Sequence, residues 1–77
     1  MYHKQIIGGQ IMDSQTRDRL NCECYVVNGA IVTIWDYTRK RPTVAQIRAN
    51  HNVALGCRLI TDEQIEDIIE RVSRFYR

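Results

Sequence analysis

Between Tyr37 and Thr61 the chain has no carboxylate, although it carries nine acidic residues in all. Five cations fill that gap: Arg39, Lys40, Arg41, Arg48 and Arg58. The flanks lean the other way, with three basic against four acidic side chains in residues 1–36 and three against five in residues 62–77. A chain whose net charge is only +2 therefore holds one markedly basic segment, suited to a phosphate backbone or to an acidic protein surface.

Long apolar runs are also missing. The longest, Ala30 to Trp35, is far short of the roughly 20 residues a membrane-spanning helix needs. The start, Met1-Tyr2-His3-Lys4, lacks the apolar stretch of a secretory signal. The expectation is a cytoplasmic protein with no membrane partner. Three cysteines make a poor disulfide framework and read as free thiols in a reducing compartment. One proline and four glycines leave no linker or low-complexity tract. Catalytic signatures are absent too: no Ser/His/acid or Cys/His spacing, P-loop, dinucleotide fingerprint or metal-protease helix. The chain is accordingly read as no enzyme and as needing no cofactor.

With 77 residues, of which 44% are apolar and 26% charged, the chain reads as a single small folded domain, residues 1–77. A domain of this size has little interior, so pairing with a copy as a homodimer, or with a partner, is an expectation.

Two helix starts are written plainly. Thr61-Asp62-Glu63-Gln64 has capping-box spacing, Ile60 and Ile65 fit a hydrophobic staple around it, and Ile65, Ile68, Ile69, Val72 and Phe75 or Tyr76 recur at helical spacing. Acids at its start and Arg71, Arg74 and Arg77 at its end suit the helix dipole. Thr43-Val44-Ala45-Gln46 repeats the capping spacing behind Pro42, and this helix should end between Asn50 and Gly56. Gly56 would close it in a left-handed conformation, or else Leu55 to Ile60 would form a short strand.

Upstream, Asn28-Gly29 lies between two β-prone runs, Cys22 to Val27 and Ala30 to Trp35, and predicts a β-hairpin from about Cys22 to Tyr37. One long helix competes, because Leu20, Cys24, Val27, Ile31 and Ile34 are spaced four, three, four and three. A central glycine costs a helix about 1 kcal/mol relative to alanine, and Val26, Val27, Ile31, Val32, Thr33 and Ile34 are all β-branched, which favours the hairpin. Asp13 to Leu20 reads as a short helix, and His3 to Ile7 as an edge strand before Gly8-Gly9. The fold class expected is α+β, a small domain with a β-hairpin and two or three helices; the alternative is an all-α, three-helix arrangement of helix-turn-helix type.

In a nucleic-acid site, Arg39, Lys40, Arg41, Arg48 and Arg58 would anchor phosphates, and Gln46 and Asn50 on the exposed side of the Thr43 helix would read base edges. The plain alternative is a basic loop that solvates the surface and balances nearby carboxylates. A recognition helix at Thr61 is disfavoured, since its first turns carry Asp62, Glu63, Glu66 and Asp67. The nine residues Arg41-Pro-Thr-Val-Ala-Gln-Ile-Arg-Ala49 resemble the Arg-Pro-Thr-Val opening of KfrA-type plasmid DNA-binding domains. The resemblance implies DNA as partner more than RNA. That family continues with a Gly-Ser turn, where this chain has Asn50-His-Asn-Val-Ala-Leu-Gly56.

Cys22, Cys24, Cys57 and His51 could form a Cys3His zinc set if Cys22 and Cys24 shared a strand face, but their spacing is otherwise wrong, and buried thiols with no metal are expected. His3 reads as a solvated residue near the terminus, and His51 as a helix-end residue. Trp35 and Tyr37 share strand parity just ahead of the basic run, where, if exposed, they would anchor a protein interface; the competing reading sets Trp35 in the core. Two functions result. The first is a small cytosolic regulatory or accessory protein that binds nucleic acid through the basic loop and helix. The second is a protein-binding inhibitor or adaptor of phage or plasmid type that docks the same surface on an acidic partner.

Overall fold

The structure, a computed structural model, describes residues 5–7 and 10–76, with side chains from 13 to 76. A short antiparallel ribbon, β1 (Gln5–Ile7) paired with β2 (Gln10–Met12), leads into four helices: α1 (Ser14–Thr38), α2 (Val44–Ala49), α3 (His51–Gly56) and α4 (Asp62–Ser73). His3 and the Gly8-Gly9 link lie outside the described residues. From 13 to 76 the chain contains no strand.

The α+β expectation is thereby corrected: the predicted hairpin Cys22–Tyr37 is the greater part of α1, and the packed body is all-helical, as in the alternative reading. Asp13 caps α1, its carboxylate accepting the Thr16 amide at 2.7 Å, so the short helix expected at Asp13–Leu20 does start there but runs on for 25 residues. The reason lies in packing. Val27, Ala30, Ile31 and Trp35 are buried, with Leu20, Cys24 and Ile34 packed beside them. This set mixes odd and even positions, so a strand, which alternates faces, would expose part of it. Asn28 and Gly29 sit on the outer side of the helix, where the glycine meets no neighbour. Its local cost of about 1 kcal/mol is small against burying the three large side chains Val27, Ile31 and Trp35 at about 1.5–3 kcal/mol each. Thr33 and Thr38 donate their hydroxyls to the carbonyls of Gly29 and Ile34 four residues back, at 2.9 and 2.8 Å, the local bond a threonine makes within a helix.

Both capping boxes form. Thr43 Oγ1 accepts the Gln46 amide at 3.2 Å while Gln46 Oε1 accepts the Thr43 amide at 2.9 Å. Thr61 and Gln64 repeat the exchange at 3.1 and 2.8 Å. Asn50 is extended (φ −62°, ψ 134°), ends α2 and caps α3 with its own side chain. Gly56 closes α3 without a left-handed conformation, and residues 55–60 form no strand. Ile47, Val53, Ile60, Ile65, Ile68, Ile69 and Val72 join the α1 residues in one core, with α1 lying across α3 and α4. No helix among the described residues is long and apolar enough to cross a membrane.

Candidate functional site

The chain must turn sharply to leave α1, and it does so at Arg39. This residue takes a left-handed conformation (φ 59°, ψ 21°) and donates its N–H to the Trp35 carbonyl at 2.8 Å. Lys40 follows, its N–H held by the Thr38 hydroxyl at 3.2 Å. Both side chains stand exposed and have no ion pair among the described residues. Tyr37, on the last turn of α1, is 88% exposed.

Trp35 is turned inward and only 9% exposed. Its indole stacks on Tyr76 with ring centroids 4.8 Å apart and planes inclined by 19°. The Tyr76 hydroxyl donates to Asp36 at 3.3 Å. Burial first, and then the Asp36 charge, push the Tyr76 phenol above its usual range. Of the two aromatics expected at an interface, Trp35 is part of the core and Tyr37 is on the surface.

Arg41, Arg48, Gln46 and Asn50 of the basic segment are engaged within the fold. Arg41 forks onto Glu66 and Glu70, one turn apart on α4, at 2.9 and 3.0 Å, and these hydrogen bonds raise its guanidinium pKa further. Arg48 reaches from α2 to Asp62 at 2.8 Å, to the Ile60 carbonyl at 2.8 Å and to the Cys57 carbonyl at 3.4 Å. Gln46 spends its amide oxygen in the α2 capping box, and Asn50 Oδ1 accepts the Asn52 and Val53 amides at 3.1 and 3.3 Å. Arg58 is exposed, but it lies between Cys57 and Leu59, both bonded to Glu23. The level of Glu23 is about 24 Å along α1 from Arg39. The segment that is continuous in sequence is thus split in space: Arg39 and Lys40 with Tyr37 at one end of α1, Arg58 alone towards the other.

Sequence reasoning passed over Glu23. It is the buried charged residue of the core, 6% exposed, and its Oε1 accepts the backbone amides of Leu59 and Ile60 at 2.8 and 2.9 Å. The signal was present, since Glu23 is the one charged residue between Leu20 and Trp35. A lone carboxylate in an apolar helix face calls for donors from elsewhere in the chain.

The zinc set does not assemble. On a helix, residues two apart point about 200° away from each other, so Cys22 is exposed while Cys24 turns towards α4 and Arg71. Cys57 is buried, its thiol directed at the Glu23 carbonyl at 3.7 Å, and His51 is exposed. Among the described residues no cluster of His, Cys, Asp or Glu is arranged to hold a metal. Asp62, Glu63, Glu66, Asp67 and Glu70 of α4 are all exposed, and of these Asp62, Glu66 and Glu70 pair with Arg48 and Arg41. Compared with protein-family models, with curated proteins and with solved structures, the chain matches none.

Proposed function

We propose that the chain is a small protein-docking module, an adaptor or inhibitor, that presents the end of α1 to an acidic protein surface. Tyr37 is the anchor, with Arg39 and Lys40 as the charges that orient the encounter. The observation that carries this reading is an 88% exposed tyrosine beside two cations without ion pairs among the described residues, at the end of a 25-residue helix. An aromatic ring next to arginine is the composition of interface hot spots, and cations around it act mainly on association rate and selectivity. Two of the five cations that a phosphate-binding surface would use are ion-paired to α4, and Gln46 and Asn50 are capping residues. Both facts reduce the support for a nucleic-acid footprint.

The test is capture of partners on the wild-type protein beside Tyr37→Ala and Lys40→Glu, followed by direct titration with the captured protein. The module reading expects a defined acidic protein whose affinity falls at least about tenfold with Tyr37→Ala. Labelled single- and double-stranded DNA and RNA are titrated in parallel. Saturable binding there, weakening steeply with salt and lost in Lys40→Glu, would overturn the docking reading in favour of nucleic acid.

A further inference from the structure

Between Leu20 and Trp35 the only charged residue of α1 is Glu23, and it is turned inward. The outward side of this helix therefore runs for some 16 residues, about 24 Å, without a charge. Water-facing helix surfaces ordinarily carry charges, so an uncharged one of this length signals a partner. On it Tyr25 is 80% and Val26 38% exposed. Shallow hollows follow one another along it, bounded on the far side by Asn50, Asn52 and Gly56.

One stripe on this side has an internal symmetry. Arg19, Cys22, Val26, Gly29, Thr33 and Asp36 are all exposed and recur at spacings of three, four, three, four and three. That is the seam of a two-helix coiled contact. The stripe is its own complement when a copy runs antiparallel about a two-fold axis between Val27 and Asn28. Arg19 then meets the second copy's Asp36, Cys22 meets Thr33, and Val26 meets Gly29. The ends are opposite in charge, and the two-fold makes the Arg–Asp contact twice. At the centre Gly29 has nothing within 4 Å of where a Cβ would sit, so the partner's Val26 has room to approach. Arg19 has no ion pair among the described residues, and Asp36 is held at its end of the stripe by the Tyr76 hydroxyl at 3.3 Å.

We propose that α1 pairs antiparallel with α1 of a second copy through this stripe, forming a two-fold homodimer closed by two Arg19–Asp36 contacts. A second copy is the occupant because the charges at the two ends, the small residue at the centre and the heptad spacing complement one another under a single two-fold operation. This dimer is independent of the docking end at Tyr37, since a monomer could present that end equally.

The experiment is sedimentation velocity of the full chain over a concentration series, with Arg19→Asp, Asp36→Arg and Gly29→Arg variants. The wild type is expected to be dimeric at sub-millimolar concentration. Each charge reversal places like charges opposite each other twice and should weaken the dimer by at least about tenfold. Mixing Arg19→Asp with Asp36→Arg restores both contacts, so the mixture should form a heterodimer where each alone is monomeric. Gly29→Arg, whose side chain enters open space, should be monomeric with unchanged helicity by circular dichroism. A monomeric wild type, a dimer indifferent to Gly29→Arg, or a mixture that fails to associate would each overturn the proposal.

Discussion

Glu23 and Arg48, on different helices, grip the same loop from opposite sides. The carboxylate of Glu23 accepts the N–H of Ile60 at 2.9 Å, and the guanidinium of Arg48 donates to the carbonyl of that residue at 2.8 Å. Leu59 N–H and the Cys57 carbonyl are shared out in the same way, to Glu23 and Arg48 respectively. The link between α3 and α4, which has no backbone ladder of its own, borrows its hydrogen bonds from these two side chains.

Removing either partner should therefore cost more than an ordinary surface substitution. Glu23→Ala leaves two amides without an acceptor, and a loss of about 3 kcal/mol is expected; Glu23→Gln, which keeps an acceptor oxygen, should lose about 1 kcal/mol. Arg48→Ala should lose about 2 kcal/mol, with Arg48→Lys little better because an ammonium lacks the fork that reaches three acceptors. Urea denaturation of the two alanine variants and their double mutant checks this. Their losses should fall short of additivity, since both act on one loop.

Gly29→Ala discriminates the helix from the hairpin that the sequence suggested. In a tight β-turn the glycine would supply a positive φ, and alanine would destabilise. On the open side of α1 the same change should stabilise by about 1 kcal/mol, read as a rise in melting temperature at concentrations where the chain is monomeric.

Arg39→Gly should separate stability from binding. Arg39 occupies a left-handed position that favours glycine, so the substitution is expected to stabilise by about 1 kcal/mol. It also removes one cation of the docking end, and affinity for the acidic partner should fall while the melting temperature rises.

The thiols give a pH dependence of known sign. Burial raises the pKa of Cys24 and Cys57 above the ordinary 9.0, helped in each case by the charge of Glu23. The folded protein then holds protons that the unfolded chain releases, so this stability is whole below pH 9 and is lost as pH rises through the folded values. Thermal melts from pH 8 upward should fall progressively, less so in Cys57→Ala once its own lower starting stability is subtracted. At neutral pH a thiol reagent should modify the exposed Cys22 first and Cys24 and Cys57 slowly.

The helix starts at Thr43 and Thr61 were legible because capping is local: four residues specify the reciprocal bonds, and both boxes form. The region from Cys22 to Tyr37 was harder to read because its local and long-range preferences conflict. Asn28-Gly29 and six β-branched residues argue for strands, and only the burial of Val27, Ala30, Ile31 and Trp35 against α3 and α4 makes the helix win. Trp35 had two open readings, and its stack on Tyr76 selects the core. At the candidate site, charge was readable and availability was not. Whether Arg41 and Arg48 are free depends on Asp62, Glu66 and Glu70 on another helix, 14 to 29 residues away, which spacing within the basic segment does not reveal.

The borrowed hydrogen bonds of the 57–60 loop also set where the protein opens. An exposed connection between helices ordinarily exchanges its amide protons by brief local fluctuation. The amides of Leu59 and Ile60 end instead on a carboxylate 36 and 37 residues earlier, inside α1. Freeing them means withdrawing Glu23 from the core, so these two loop amides should exchange as slowly as those at the centre of α4, reporting the unfolding of the whole domain from a segment without regular structure.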